Sequence, residues 1–136
     1  MPPSTPETIY AGVQPDLARK VQQVLRAMAA FGYPMHPITG LRTVAQQQAL
    51  YAQGRSAPGP IVTKCDGVVH RSAHQASEDG LGRAIDCVFD GETPFDPHAP
   101  WNAFGALGKA VGLVWGGDFT TLRDLDHLEL PHHITG

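Results

Sequence analysis

The chain has only two cysteines, Cys65 and Cys87, and they do not form a Cys-x-x-Cys pair. Two thiols are too few for a disulfide framework, and their spacing excludes the common cysteine zinc site. Buried free thiols are expected, with one cross-link as the alternative. Charged residues are sparse at 17%, and the net charge is -3. No stretch concentrates Lys and Arg, which argues against a nucleic-acid surface. No long hydrophobic run occurs either. The longest, Val21 to Phe31, is broken by Gln22, Gln23 and Arg26, which excludes a membrane span. Met1 to Glu7 lacks the basic start and apolar core of a signal peptide. The protein is therefore expected to be made without a secretion signal of its own, or with that signal already removed. His-Glu-x-x-His, Gly-x-Ser-x-Gly and a glycine-rich phosphate loop are all missing, so the commonest zinc-protease and serine-hydrolase signatures do not apply.

What is present suits one folded domain. The 136 residues are 42% hydrophobic, enough for a real core. Residues 1–13 carry three prolines and read as an irregular lead-in. Pro15 suits a first helical position, and Leu17, Val21, Val24, Leu25 and Met28 then mark one helical face, closed near Gly32 and Pro34. Met35 to Leu41 reads as extended, with Pro37 placing it at an edge. Thr43-Val44-Ala45-Gln46 is a capping box opening a helix to about Gln53, with Gly54 as its C-terminal cap. Arg42 thus stands at a strand-to-helix junction.

Ile61-Val62-Thr63 and Val68-Val69 look strand-like, and Gln75 to Leu81 reads as a polar surface loop. Ala84 to Phe89 reads as a strand, apolar except at Asp86. A carboxylate in a buried strand needs a partner, and a metal is one. Trp101 to Val111 gives a further helix, weakened by Gly105 and Gly108, before the short strand Leu113-Val114-Trp115. Asp126 to Leu130 alternates polar and apolar, so His127 and Glu129 should share a face. Mixed helix and strand without βαβ alternation favours α+β.

His74, Asp86 and His127 are candidate ligands from three separated points. Two imidazoles and a carboxylate would make a tridentate zinc cage with a fourth position open to water, as in catalytic rather than structural sites. Glu129, on the face of His127, is a possible base. Asp118 and Asp126 read as loop caps, and His98, His132 and His133 as loop or tail residues. Glu78 and Asp79 make only a weak calcium candidate.

The motifs extend beyond these positions. They include Gly40-Leu41-Arg42-Thr43 with Gln47, Leu50, Tyr51 and Gly54-Arg55, then Pro58-Gly59-Pro60-Ile61-Val62-Thr63. Ser72-x-His74, Gly82-x-Ala84-x-Asp86, Trp115-Gly116-Gly117-Asp118-Phe119 and Asp124-x-x-His127-x-Glu129 come after them. In this order, over about residues 14–130, they resemble the small zinc peptidases of bacterial cell walls. That family comprises D-Ala-D-Ala peptidases and the L-alanyl-D-glutamate endopeptidases of phage lysins.

The resemblance implies an α+β fold of the hedgehog/DD-peptidase type, with helices packed on a small antiparallel sheet. It implies Zn2+ on His74, Asp86 and His127, Asp124 as general base and Arg42 as stabiliser of the oxyanion. Ser72 and Gln47 are implied as substrate-binding residues. The implied substrate is the peptidoglycan stem peptide, cut by a monomer acting on the wall after release from the host cytoplasm, with no nucleic-acid or membrane partner. A D-Ala-D-Ala carboxypeptidase or dipeptidase is the enzymatic alternative, and a non-catalytic wall-binding module the other. One departure stands out: the family's histidine-to-glycine spacing is two residues, whereas here Gln75 to Leu81 intervene. The insertion should form a loop at the rim of the site. It leaves both His70 and His74 open as first ligand, with His74 favoured because Ser72 precedes it.

Overall fold

The structure, a computed structural model, describes residues 5–131. The lead-in is not irregular. Thr5 and Thr8 form a reciprocal capping box, and the chain is helical over Pro6–Ala11, α1. Pro6 at the first position costs nothing there, because that N–H has no intrahelical partner in any case. This short helix packs on the strand that leads to Arg42.

Helix α2 spans Pro15–Ala30 and buries Leu17, Val21, Val24 and Met28, the face that the periodicity marks. It ends at Gly32, whose φ of 94° suits a residue without a side chain. Strand β1 is Met35–Thr39 and helix α3 is Val44–Ala52, opened by the Thr43/Gln46 capping box and followed by Gly54 at φ 81°. Strand β2 is Ala84–Phe89, helix α4 Trp101–Ala110, strand β3 Val114–Trp115 and strand β4 His127–Glu129. The four strands form one antiparallel sheet in the order β1-β2-β4-β3. Pro37 lies on the edge strand β1, beside a register shift between Pro37 and Thr39, where a missing donor is tolerated.

The core lies between one face of the sheet and helices α2 and α4. Leu17, Val21, Val24 and Met28 meet Ile85, Cys87, Phe89, Phe104, Trp115 and Leu128 there. Each such side chain contributes about 1.5–3 kcal/mol by leaving water. The alternation of β2 turns Asp86 to the opposite face, away from this core. The glycines of α4 have a packing purpose: Gly105 lets the Trp115 ring lie against the helix, and Gly108 does the same for Leu128.

Three expectations are corrected. Ile61–Thr63 and Val68–Val69 are not strands. Their apolar side chains are exposed, with no sheet neighbour among the described residues to take up the backbone hydrogen bonds. Gln75 is not on a surface loop but is buried, its amide bonded to Ser72 N at 2.9 Å and Gly67 O at 3.0 Å. Both cysteines are free thiols, and burial pushes the Cys87 thiol up. His132 and His133 lie outside the described residues.

Candidate metal centre and catalytic cleft

Strand register creates half of the site. Asp86 on β2 lies directly opposite His127 on β4, and Ala84 opposite Glu129. Side chains opposite each other on one face of an antiparallel pair come within contact distance, and here Asp86 Oδ1 is 3.1 Å from His127 Nδ1. The third member comes from a loop. The turn Ser72 to Gln75 is tied on one side by Arg42 N donating to His74 O at 2.7 Å, and on the other by Arg83 N donating to Ala73 O at 2.8 Å. His74 Nε2 then lies 3.2 Å from both Asp86 Oδ1 and His127 Nδ1. His70, by contrast, is exposed and faces Asp66, so the first-ligand position belongs geometrically to His74.

These three atoms fit a cation. His74 Nδ1 is 2.8 Å from the carbonyl of Gly40, which can only accept, so that nitrogen carries the proton and Nε2 turns its lone pair inward. His127 Nε2 lies 2.8 Å from Glu129 Oε1, so Nδ1 is its inward nitrogen. Separations of 3.1–3.2 Å match what ligands about 2.0 Å from one tetrahedral zinc leave between themselves. The electrostatics agree. Burial opposes charge on His127, yet hydrogen bonds to Asp86 and Glu129 outweigh it and push the imidazole up to about 10. Burial likewise opposes the Asp86 carboxylate, but the two imidazoles hold it well below the usual range. The pocket is built around a positive charge, and His74, Asp86 and His127 are the residues that can hold zinc.

Beside the triad opens a cleft of about 590 Å3. Asp124 lines it, half-exposed, with Oδ2 3.6 Å from His127 Nδ1. Its neighbour Asp126 is pushed up to about 9 by burial, by a hydrogen bond with Asp124 and by the charge of Asp86. Asp126 Oδ1 is buried without a hydrogen-bond partner among the described residues, a setting that a loop-cap reading misses. The loop before them holds Leu122 at φ 52°, a strained setting for a bulky residue.

Arg42 reaches Asp86 Oδ2 at 4.0 Å through Nη2, and Nη1 donates to Gln47 Oε1 at 2.7 Å. Burial lowers its pKa, with Asp86 and Asp124 opposing, and the group stays a cation. Gln47 is 0% exposed, so the expectation that it contacts substrate is corrected: it is sealed off and holds Arg42. Ser72 does line the cleft, its Oγ accepting from His74 N at 3.2 Å. Glu129 is bonded to the far nitrogen of His127, which makes it an orienter of that ring rather than a base.

None of residues 75–81 lines the cleft, contrary to the expected rim loop. The insertion is a tight turn in which Asp79 accepts from Leu81 N at 3.0 Å and from Gln14 Nε2 at 3.2 Å, pinning it near the start of α2. That leaves no calcium site at Glu78 and Asp79 among the described residues.

An α+β sheet carrying a His-Asp-His triad beside an open cleft defines a small zinc metallopeptidase. Comparison with known proteins places it further. The family model described as D-alanyl-D-alanine carboxypeptidase matches residues 70–130, which contain all three candidate ligands. Over 133 residues the chain is 29% identical to the peptidoglycan L-alanyl-D-glutamate endopeptidase CwlK of Bacillus subtilis, covering 90% of this chain and 75% of that one. The crystal structure of the L-Ala D-Glu endopeptidase ChiX of Serratia marcescens superposes with a TM-score of 0.61 at 26% identity, over 92% of this chain and 85% of that one. The LD-carboxypeptidase LdcB shares the fold, with a TM-score of 0.58 at 20% identity over 88% of this chain and 65% of that one. The chain is thus similar, in sequence and in fold, to small zinc peptidases of this family.

Proposed function

We propose that the protein is a zinc-dependent peptidoglycan endopeptidase that cuts the stem peptide between L-Ala and D-Glu, working as a phage endolysin. The observation that carries the reading is the flanking of the triad: Asp124 stands beside His127, Arg42 stands beside Asp86, and both line the cleft. The bond is suggested by the names of the Bacillus and Serratia relatives.

Zinc held by His74, Asp86 and His127 would supply a Lewis acid and an acidified water. Asp124 takes the proton of the attacking water and returns it to the leaving amine. Arg42, fixed by Gln47, donates to the oxyanion as the carbonyl becomes tetrahedral.

Incubating the protein with a purified stem peptide and weighing the fragments tests this. A new amino terminus at D-Glu, lost on chelation and restored by zinc, is expected. Release of terminal D-Ala alone would overturn the endopeptidase reading in favour of a carboxypeptidase, and binding without cleavage would indicate a wall-binding module. Lysis of exposed cell walls by added protein tests the endolysin role.

A further inference from the structure

The cleft holds more positive charge than the chemistry uses. The chain is net -3, yet Lys64, Arg71 and Arg123 line the cleft together with Arg42. Among the described residues, the Lys and Arg ion pairs are made by Arg19, Lys20, Arg42 and Lys109. Lys64, Arg71 and Arg123 are thus, among those residues, cations without acidic partners. The acids of the cleft lie against His127 instead, Asp124 Oδ2 at 3.6 Å from its Nδ1 and Glu129 Oε1 at 2.8 Å from its Nε2.

Two of the three are nevertheless held in place. Arg123 Nε donates to Gly117 O at 3.0 Å, and Arg71 Nη2 donates to Ala76 O at 3.0 Å. A single backbone tether restrains a guanidinium and leaves its other donors for an incoming acceptor. Among the described residues neither terminal nitrogen of Arg123 makes a hydrogen bond, and their flat fork matches a carboxylate.

We infer that Arg123, within the positive field of Arg71 and Lys64, binds the free carboxylate of the substrate residue on the leaving-amine side of the scissile bond. This rests on the reading above, in which Asp124 protonates that amine. The departing residue must then lie against Asp124, and Arg123 is its chain neighbour lining the same cleft. A glutamate following the cut bond has two carboxyl groups and uses at most one in an onward peptide link. One carboxylate is left beside the amine. Amidation to glutamine would remove its charge, so Arg123 makes the enzyme selective for unamidated stems.

Two synthetic stems, differing only in a carboxylate or carboxamide on that glutamate, test the inference. The zinc-loaded protein should favour the carboxylate stem roughly ten- to a hundred-fold in kcat/KM, mostly through KM, as expected for a charge-assisted contact. Arg123→Ala should bring the ratio close to one, Arg123→Lys should keep part of it, and added salt should shrink it. Equal cleavage of both stems by the native protein, or an unchanged ratio in Arg123→Ala of native melting behaviour, would overturn it. Calorimetric binding of both stems to Asp124→Asn gives a readout without turnover. If neither stem is cut but binding still separates them tenfold, the bond assignment fails and the carboxylate site stands. If binding does not separate them, the site itself is refuted.

Discussion

The side-chain oxygen of the fully buried Gln47 accepts a hydrogen bond from the partly exposed Arg42 Nη1 at 2.7 Å. The same amide donates to Cys65 O at 2.9 Å and Thr63 Oγ1 at 3.2 Å. One residue of α3 therefore holds Arg42, the proposed oxyanion donor, and anchors the cleft wall. Replacing it with leucine of similar size strands three polar groups, at about 1–3 kcal/mol for each one left unsatisfied. Gln47→Leu should melt earlier and lose at least tenfold in kcat with KM little changed. Native kcat in a folded Gln47→Leu would show that Arg42 needs no anchor.

Removal of ligands and removal of the base should separate cleanly. His74→Ala, Asp86→Ala and His127→Ala should lose both zinc and activity in elemental analysis and stem-peptide digestion. His70→Ala should retain both. Asp124→Ala should keep its zinc while turnover falls by about 10²-fold or more, and a fully active variant would refute the assigned base.

Glu129→Gln keeps the shape beside His127 but removes the charge that orients its Nε2 proton. Partners of this kind typically contribute about 10–100-fold in metal affinity. Competition with a chelating dye should show weaker zinc binding of about that size; unaltered affinity would rule out the orienting role.

The pH response comes from the charges around the triad. His127 is pushed up to about 10 in the fold, against an ordinary value near 6.5. A raised histidine contributes stability that is fully present below about 6.5 and is lost as pH climbs through about 10. Asp126, raised to about 9, acts in the same direction: its advantage as a neutral acid fades between about 4 and 9. Chelated protein should therefore lose stability as pH rises from about 6 to 8. Zinc must displace the His127 proton, so its affinity should rise about tenfold per pH unit, or ~1.4 kcal/mol. The melting gap between zinc-loaded and chelated protein should widen with pH over that range. A constant or narrowing gap would contradict the protonation of His127.

Packing at Gly105 reverses the usual helix rule. Alanine is the better helix former by about 1 kcal/mol, but a methyl group there would overlap the Trp115 ring. Overpacking of this kind costs typically about 1–3 kcal/mol. Gly105→Ala should lower the melting temperature, and a rise would mean that Trp115 can move aside.

Much of the site was legible because its parts are local. The capping box at Thr43, the glycine stop after Ala52 and the apolar run around Asp86 each depend on a few neighbouring residues. The parity that places His127 and Glu129 on one face is a property of any extended backbone. The first helix escaped notice because its capping box is a Thr5/Thr8 pair among prolines, outside the usual Thr-x-x-Glu or Gln pattern. Ile61 and Val69 misled because β-branched residues favour strands only where a partner strand exists.

The sequence by itself determined the limits of α2 and α3, the lone acid in a buried strand and, through its motifs, the types of the candidate ligands. Only the tertiary structure decided that His74 rather than His70 joins Asp86 and His127, that Gln47 faces Arg42 instead of substrate, and that the insertion folds away from the cleft. Within the triad, the contacts link residues 12, 41 and 53 positions apart. Strand register and loop seating set such distances, and neither is encoded in the preferences of neighbouring residues.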